Sequence, residues 1–189
     1  METVLSLMLG LGLAAAVGFR IFVPFLVVSA AAYTGHLDLA EGQAWLGGLP
    51  ALLMFAAATL AEIAAYQIPW FDHLLDTLSG PTAVVCGAVL MASAVVDMDP
   101  LVKWPVAIIA GGGTAGLIRG ASAGLRAGST ALTGGLGNPA LTAVETGGSL
   151  TFSLLALLVP GAALVLTVLL LVFIARRAAR LGRWVFRRK

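Results

Sequence analysis

Residues 150–175 read LTFSLLALLVPGAALVLTVLLLVFIA, and residues 176–189 read RRAARLGRWVFRRK. Crossing about 30 Å of hydrocarbon takes about 20 apolar residues in a helix. The first string exceeds that without a single charge. The second holds seven of the chain's 11 Lys and Arg residues: Arg176, Arg177, Arg180, Arg183, Arg187, Arg188 and Lys189. Basic residues directly after an apolar helix resist translocation and attract anionic lipid, so this end is expected on the cytoplasmic side. Trp184 and Phe186 among the arginines suit an amphipathic helix at the bilayer interface.

The rest of the chain agrees. Of 189 residues 60% are hydrophobic and 11% charged, with mean hydropathy +1.02. A soluble domain carries about 25% charged residues, so a water-soluble globule is excluded. Disorder and a disulfide scaffold are excluded too, since Cys86 is the one cysteine. No segment shows the alternation of about ten residues that builds an outer-membrane barrel. Net charge +2 conceals an asymmetry: residues 1–175 hold four bases and nine acids, 4 − 9 = −5. The start, Met1-Glu2-Thr3-Val4, lacks the positive region of a cleaved signal peptide, so the first helix is expected to stay.

The expected fold is all-α, a polytopic transmembrane bundle of about five to six spans, with broken or re-entrant Gly-rich helices. Residues 1–175 form one transmembrane domain and 176–189 a basic amphipathic cytoplasmic tail. Residues 4–34 are too long for one plain span and contain Arg20 and Pro24, which suggests a long tilted helix or one broken near Gly18-Phe19-Arg20. Residues 49–67 are apolar except for Glu62. In 69–80 the apolar positions 70, 71, 74, 75 and 78 leave Asp72, His73 and Asp76 on the other face, the pattern of an interfacial helix. Residues 81–96 and 101–123 read as spans, 124–149 as a Gly/Ser/Thr/Asn-rich stretch, and 150–175 as the last span.

Gly10-Leu11, Ala15 and Gly18-Phe19-Arg20 align with Gly116-Leu117, Ala121 and Gly124-Leu125-Arg126 at a constant offset. This suggests an internal repeat with halves 1–98 and 99–175. It is inverted if residues 4–34, 49–67 and 81–96 each cross once, the arrangement many transporters use. It is parallel if residues 4–34 enter and return.

Ionisable groups at membrane depth cost at least about 2.5–3.5 kcal/mol, which makes them functional candidates. These are Arg20, Glu62, Arg126 and Glu145, with Arg119 a weaker fifth. Two arginines facing one cavity favour a carboxylate or phosphate through paired hydrogen bonds. Alternatively, the arginines bond Glu62 and Glu145 and neutralise them inside the bundle. Between Arg126 and Pro139, Ser129, Thr130, Thr133 and Asn138 gather hydroxyls and an amide beside Gly134, Gly135 and Gly137, donors suited to a dehydrated ion or head group. Asn138-Pro139 also suits a helix start.

His36 and His73 have no ligand-spaced partners, so no metal site is expected, and no phosphate loop, nucleophile elbow or dinucleotide fingerprint is present. The reading is a non-enzyme without cofactor.

The string Leu125-Arg126-Ala127-Gly128-Ser129-Thr130, followed by Thr133-Gly134-Gly135-Leu136-Gly137-Asn138-Pro139 and Glu145, resembles a family of small bacterial membrane proteins, the domain of unknown function DUF4126. Gly18-Phe19-Arg20 with Pro24, Glu62, Pro69, Asp72, Asp76 and Asp97-Met98-Asp99 extend the resemblance over roughly residues 5–175. Tyr66-Gln67 departs from it, standing where an acidic–basic pair often precedes the proline. The resemblance supports the site residues and implies no activity.

The functional expectation is a small transporter or channel of the bacterial inner membrane, binding an anionic solute or lipid head group at Arg20 and Arg126. Ser129, Thr130, Thr133 and Asn138 would line the site, with Glu62 and Glu145 as coupling charges. The alternative is a membrane scaffold or assembly protein whose buried charges are structural. Membrane lipids and a second copy in a homodimer are the expected partners; nucleic acid is not.

Overall fold

The computed structural model describes the backbone of residues 2–66 and 69–186 and the side chains of residues 3–66 and 78–180. The described chain is all helical. Helix α1 (Glu2–Phe19) and α2 (Phe22–Tyr33) are separated by a break at Arg20-Ile21. A loop with one 3-10 turn (Ala44–Gly47) leads to α3 (Leu49–Ala65), and α4 follows (Pro69–Ala94). Helix α5 (Pro100–Val106) runs through a π segment (Ala107–Gly112) into α6 (Gly113–Thr133); α7 (Asn138–Leu158) and α8 (Pro160–Phe186) complete the bundle.

Among the described residues three helical stretches are long and apolar enough to cross a membrane: Pro100–Thr133, Asn138–Leu158 and Pro160–Arg180. Thr3–Phe19, Phe22–Tyr33, Leu49–Ala65 and Leu78–Ala94 are apolar but shorter.

Helix α1 is the centre of the bundle, with Leu13, Ala14, Ala15, Ala16 and Val17 fully enclosed by α4, α6, α7 and α8. Small residues set the spacing, as close helix approach in a membrane requires. A Cβ on Gly18 would lie 2.6 Å from the Cβ of Ile118, and one on Gly87 would lie 2.8 Å from the Gly111 carbonyl oxygen. Gly10 approaches Met91, and Leu7 and Leu11 pack on the cluster of Met91, Ala92 and Ala107. Positions 7–11 of α1 therefore lie level with the π segment, and position 18 with Ile118: α1 and α6 run side by side in the same direction. Helix α7 runs the other way, with Ala156 beside Gly12 and Gly148 beside Phe19.

Three expected boundaries move. The expected segments 69–80 and 81–96 merge into one helix, α4, which ends at Ala94 and has Pro81 inside it; the amphipathic reading of Asp72, His73 and Asp76 lies outside the described side chains. The Gly/Ser/Thr-rich stretch does not interrupt the helix at 124, because Ile118, Ser122 and Arg126 keep a buried face at helical spacing through Thr133. The chain breaks only at Gly134–Gly137, where Gly134 takes φ 62° and closes the helix as a left-handed cap. The apolar run 150–175 is likewise two helices, divided at Val159-Pro160. The expected interfacial Trp184 and Phe186 lie outside the described side chains.

Candidate functional site

The break after α1 leaves the first N–H groups of α2 without intrahelical partners, as at any helix start. No side chain of Ile21 can cap them. Glu62, on α3, supplies the cap: the Ile21 N–H donates to Oε1 at 3.0 Å and the Phe22 N–H to Oε2 at 3.1 Å. One carboxylate thus spans two consecutive backbone donors at the positive end of a helix dipole.

Arg20 occupies the break with none of its surface exposed. Its Nη2 lies 3.6 Å from Glu145 Oε2 and 3.5 Å from the Thr142 carbonyl oxygen on α7. Its guanidinium carbon stands 4.2 Å from the centroid of the Tyr66 ring. Nε and Nη1 of Arg20 are buried without a hydrogen-bond partner.

Arg126 approaches the same carboxylate from α6. Its Nε donates to Glu145 Oε1 at 3.2 Å and its Nη2 to Oε2, a forked pair, with a further bond to Thr142 Oγ1 at 3.2 Å. Its guanidinium lies 4.3 Å from the Tyr66 ring centroid. Arg119, two turns earlier on α6, donates to Ser79 Oγ at 2.8 Å, to the Phe19 carbonyl at 3.4 Å and to the Tyr66 hydroxyl. Three guanidinium groups thus converge on one tyrosine, with two glutamates among them. A desolvated arginine over an aromatic face gains about 2 kcal/mol, so the ring offsets part of the cost of crowding like charges.

Helix α7 turns a polar stripe inward to receive this cluster. Asn138, Thr142, Glu145, Ser149 and Ser153 are its buried polar positions. Ser149 Oγ donates to the Ala16 carbonyl at 2.9 Å, the same oxygen that accepts the Arg20 N–H at 3.1 Å near the end of α1. Glu145 sits seven residues into α7, about 10 Å from its start at 1.5 Å per residue. The cluster is therefore within hydrocarbon depth if α7 spans.

The expected residues divide into two places. Arg20, Arg126 and Glu145 come together, with Glu62 at the α2 start. Ser129, Thr130, Thr133 and Asn138 do not join them; they build the turn between α6 and α7. Thr133 Oγ1 donates to the Ser129 carbonyl at 2.8 Å and accepts from the Gly137 N–H at 3.1 Å, and Asn138 Nδ2 donates to Thr130 Oγ1 at 3.2 Å. Asn138 is the first residue of α7 rather than its cap, which is Gly137. Beside this turn an open, apolar groove of about 450 Å³ runs between Gly124, Gly128 and Leu132 of α6 and Ala140, Leu141 and Val144 of α7; no arginine lines it. Two residues escaped the sequence reading, Tyr66 and Thr142, which carry no charge; Arg119, the weaker fifth candidate of that reading, ranks with Arg20 and Arg126 in burial. Helical spacing offers a signal for each: 62 and 66 share a face of α3, 119 and 126 a face of α6, and 142 and 145 a face of α7.

The family model described as Domain of unknown function (DUF4126) matches residues 7–180. The chain belongs to this family. The match takes in every member of the DUF4126 cluster, from Arg20 through Tyr66 to Glu145. No curated protein and no solved structure matches this DUF4126 chain. Among the described residues no group of His, Cys, Asp and Glu could hold a metal ion.

Proposed function

We propose that this protein is a small helical membrane transporter or channel that binds an anionic solute or lipid head group at its buried arginines. One observation carries the reading: Arg20, wholly enclosed, keeps two nitrogens without a partner. A buried donor left unmade costs about 1–3 kcal/mol, more for a charged group, and a bound anion would recover that loss. Arg126 enters through Glu145, the carboxylate the two arginines share, and Glu62 and Glu145 are the charges that an incoming anion or proton would uncouple.

The chain path supports a re-entrant α1–α2 pair. The Ala40 N–H donates to the Ser93 carbonyl at 3.0 Å, and Ser79 and Phe19 meet at Arg119. Helix α2 is about 18 Å long and the Ser79–Ser93 segment about 21 Å. If α2 continued away from Ser93, the seven residues from Tyr33 to Ala40 would have to bridge about 39 Å, whereas they reach about 24 Å. This path supports a fold-back of the chain at Arg20. With α1 and α6 side by side in one direction, a repeat joining Arg20 to Arg126 is of the parallel kind.

Flux is the test. Proteoliposomes of the wild type should move an anion, and Arg20→Ala or Arg126→Ala should cut the rate at least about tenfold, a loss of about 1.4 kcal/mol in barrier terms. Wild-type flux in both variants would sink the assignment.

A second reading, a membrane scaffold with structural charges, is favoured by Arg119, whose three hydrogen bonds tie α6 to α1, to α4 and to the end of α3. The basic tail supports a cytoplasmic C-terminus in a bacterial inner membrane. A homodimer is supported by Gly120, Gly124 and Gly128, where an added Cβ would meet nothing within 4 Å. Lipid remains the other partner of that face.

A further inference from the structure

One end of the bundle gathers two loops. The Ala40 N–H bond to the Ser93 carbonyl ties the loop after α2 to the end of α4, which leads through Asp97 and Asp99 into α5. Tyr33, Trp45 and Trp104 are exposed at this end. Amphipathic aromatic rings collect at head-group depth, which places the end at a membrane–water boundary. Asp97 and Asp99 are exposed, and Asp99 Oδ1 accepts from the Leu101 N–H at 2.8 Å. Lys103 follows Asp99 by one turn, about 6 Å along the axis. It keeps only 8% of its surface exposed, and among the described residues no acceptor pairs with its ammonium. Its stem continues the buried face of Ala107, which packs with Met91 and Ala92 against Leu7 and Leu11. Helical side chains lean toward the start of their helix, so the ammonium rises toward Asp99 and the boundary. Water can solvate a free ammonium, but this one has little surface open to it.

We propose that Lys103, Asp97 and Asp99 bind a phospholipid whose head group joins a phosphodiester to a primary ammonium, as in phosphatidylethanolamine. Lys103 donates to the phosphate oxygens, the acceptors a bilayer offers at that depth. Asp97 and Asp99, further out, accept from the lipid ammonium. The order of charges along the protein, cation inside and carboxylates outside, is thus the complement of the order along the lipid. A phosphatidylglycerol would bring its negative charge to the two aspartates with no cation to offer them. A phosphatidylcholine carries an ammonium without an N–H to donate. Leu101 and Val102, both exposed, give the acyl chains an apolar surface beside the site. Ala107 packs level with Leu7 and Leu11, more than two turns of α1 from Arg20, so this position is separate from the arginine cluster and independent of the transport reading.

The test titrates the delipidated full-length protein in mild detergent with phosphatidylethanolamine, phosphatidylglycerol and phosphatidylcholine of equal chain length, read by native mass spectrometry. The wild type should retain phosphatidylethanolamine at a half-saturating concentration at least about tenfold below the other two, the worth of one charge-assisted hydrogen bond. Lys103→Met keeps the apolar stem and should lose that tight binding. Asp97→Asn together with Asp99→Asn preserves the cap of α5 and should bring phosphatidylethanolamine level with phosphatidylcholine. Soluble glycerophosphoethanolamine, the head group without its chains, should bind at least about tenfold more weakly than the lipid. The comparison of the three lipids on the wild type stands whether or not the variants fold. Equal binding of the three lipids, or a preference for phosphatidylglycerol, would overturn the proposal. So would wild-type retention in Lys103→Met, a preference for phosphatidylethanolamine that survives loss of both aspartates, or a soluble head group that binds as tightly as the lipid.

Discussion

Arg126 and Glu145 share two hydrogen bonds where neither side chain meets water, and Arg20 leans on the same carboxylate. Removing one partner of such a group strands the other, which costs about 3–5 kcal/mol. Glu145→Gln is therefore expected to lower the melting temperature of the detergent-solubilised protein sharply, since it strands two arginines at once. An unchanged melting curve would mean that the pair contributes nothing to the fold. Tyr66 separates two contributions. Tyr66→Phe removes the hydroxyl that accepts from Arg119 but keeps the ring beside Arg20 and Arg126. Tyr66→Leu removes both. The leucine variant should be less stable than the phenylalanine variant by about 2 kcal/mol or more; equal losses would leave the ring no part in holding the arginines.

At the scale of helices, glycine does two different things. Gly87 and Gly111 are spacers, each already in contact with the other helix's backbone. Gly87→Ala places a Cβ 2.5 Å from that of Ala115 and must push α4 off the π segment, at about 1–3 kcal/mol. Gly124→Ala projects into open space and should cost the isolated chain little. Paired melting curves of the two variants check the contrast, and equal effects would contradict the helix contacts described above. This division explains which parts of the fold could be read in advance. The break at Arg20 was legible because Gly18 and Pro24 bracket a charge in an otherwise apolar run. The continuity of α6 was not, because its glycine content suggested a broken backbone. The relevant signal was spacing: 112, 116, 120, 124 and 128 fall on one helix face, so the glycines thin that face without opening the backbone. The convergence of Arg20, Arg126 and Glu145 was readable from the cost of burying charge. Tyr66 and Thr142 were not, because an uncharged residue in a helix carries no such cost to mark it.

For the whole molecule, the buried arginines either hold the bundle together or hold something that passes through it. The structure supplies a contrast between them. Arg119 spends its donors on α1, α3 and α4, and Arg126 on Glu145 and Thr142, whereas Arg20 leaves two nitrogens unused. A purely structural role gives no reason for that difference. The same reasoning predicts that Arg119→Gln is the more destabilising change and Arg20→Gln the milder, since the latter breaks longer contacts and relieves two unmade bonds; the reverse order of melting temperatures would count against a ligand at Arg20. The decisive measurement pairs flux with stability in one variant. Arg20→Gln, reconstituted in liposomes beside the wild type, should lose at least about nine-tenths of anion flux while melting within a few degrees of it. A variant that transports at the wild-type rate, or that loses flux only because it has unfolded, would contradict the account.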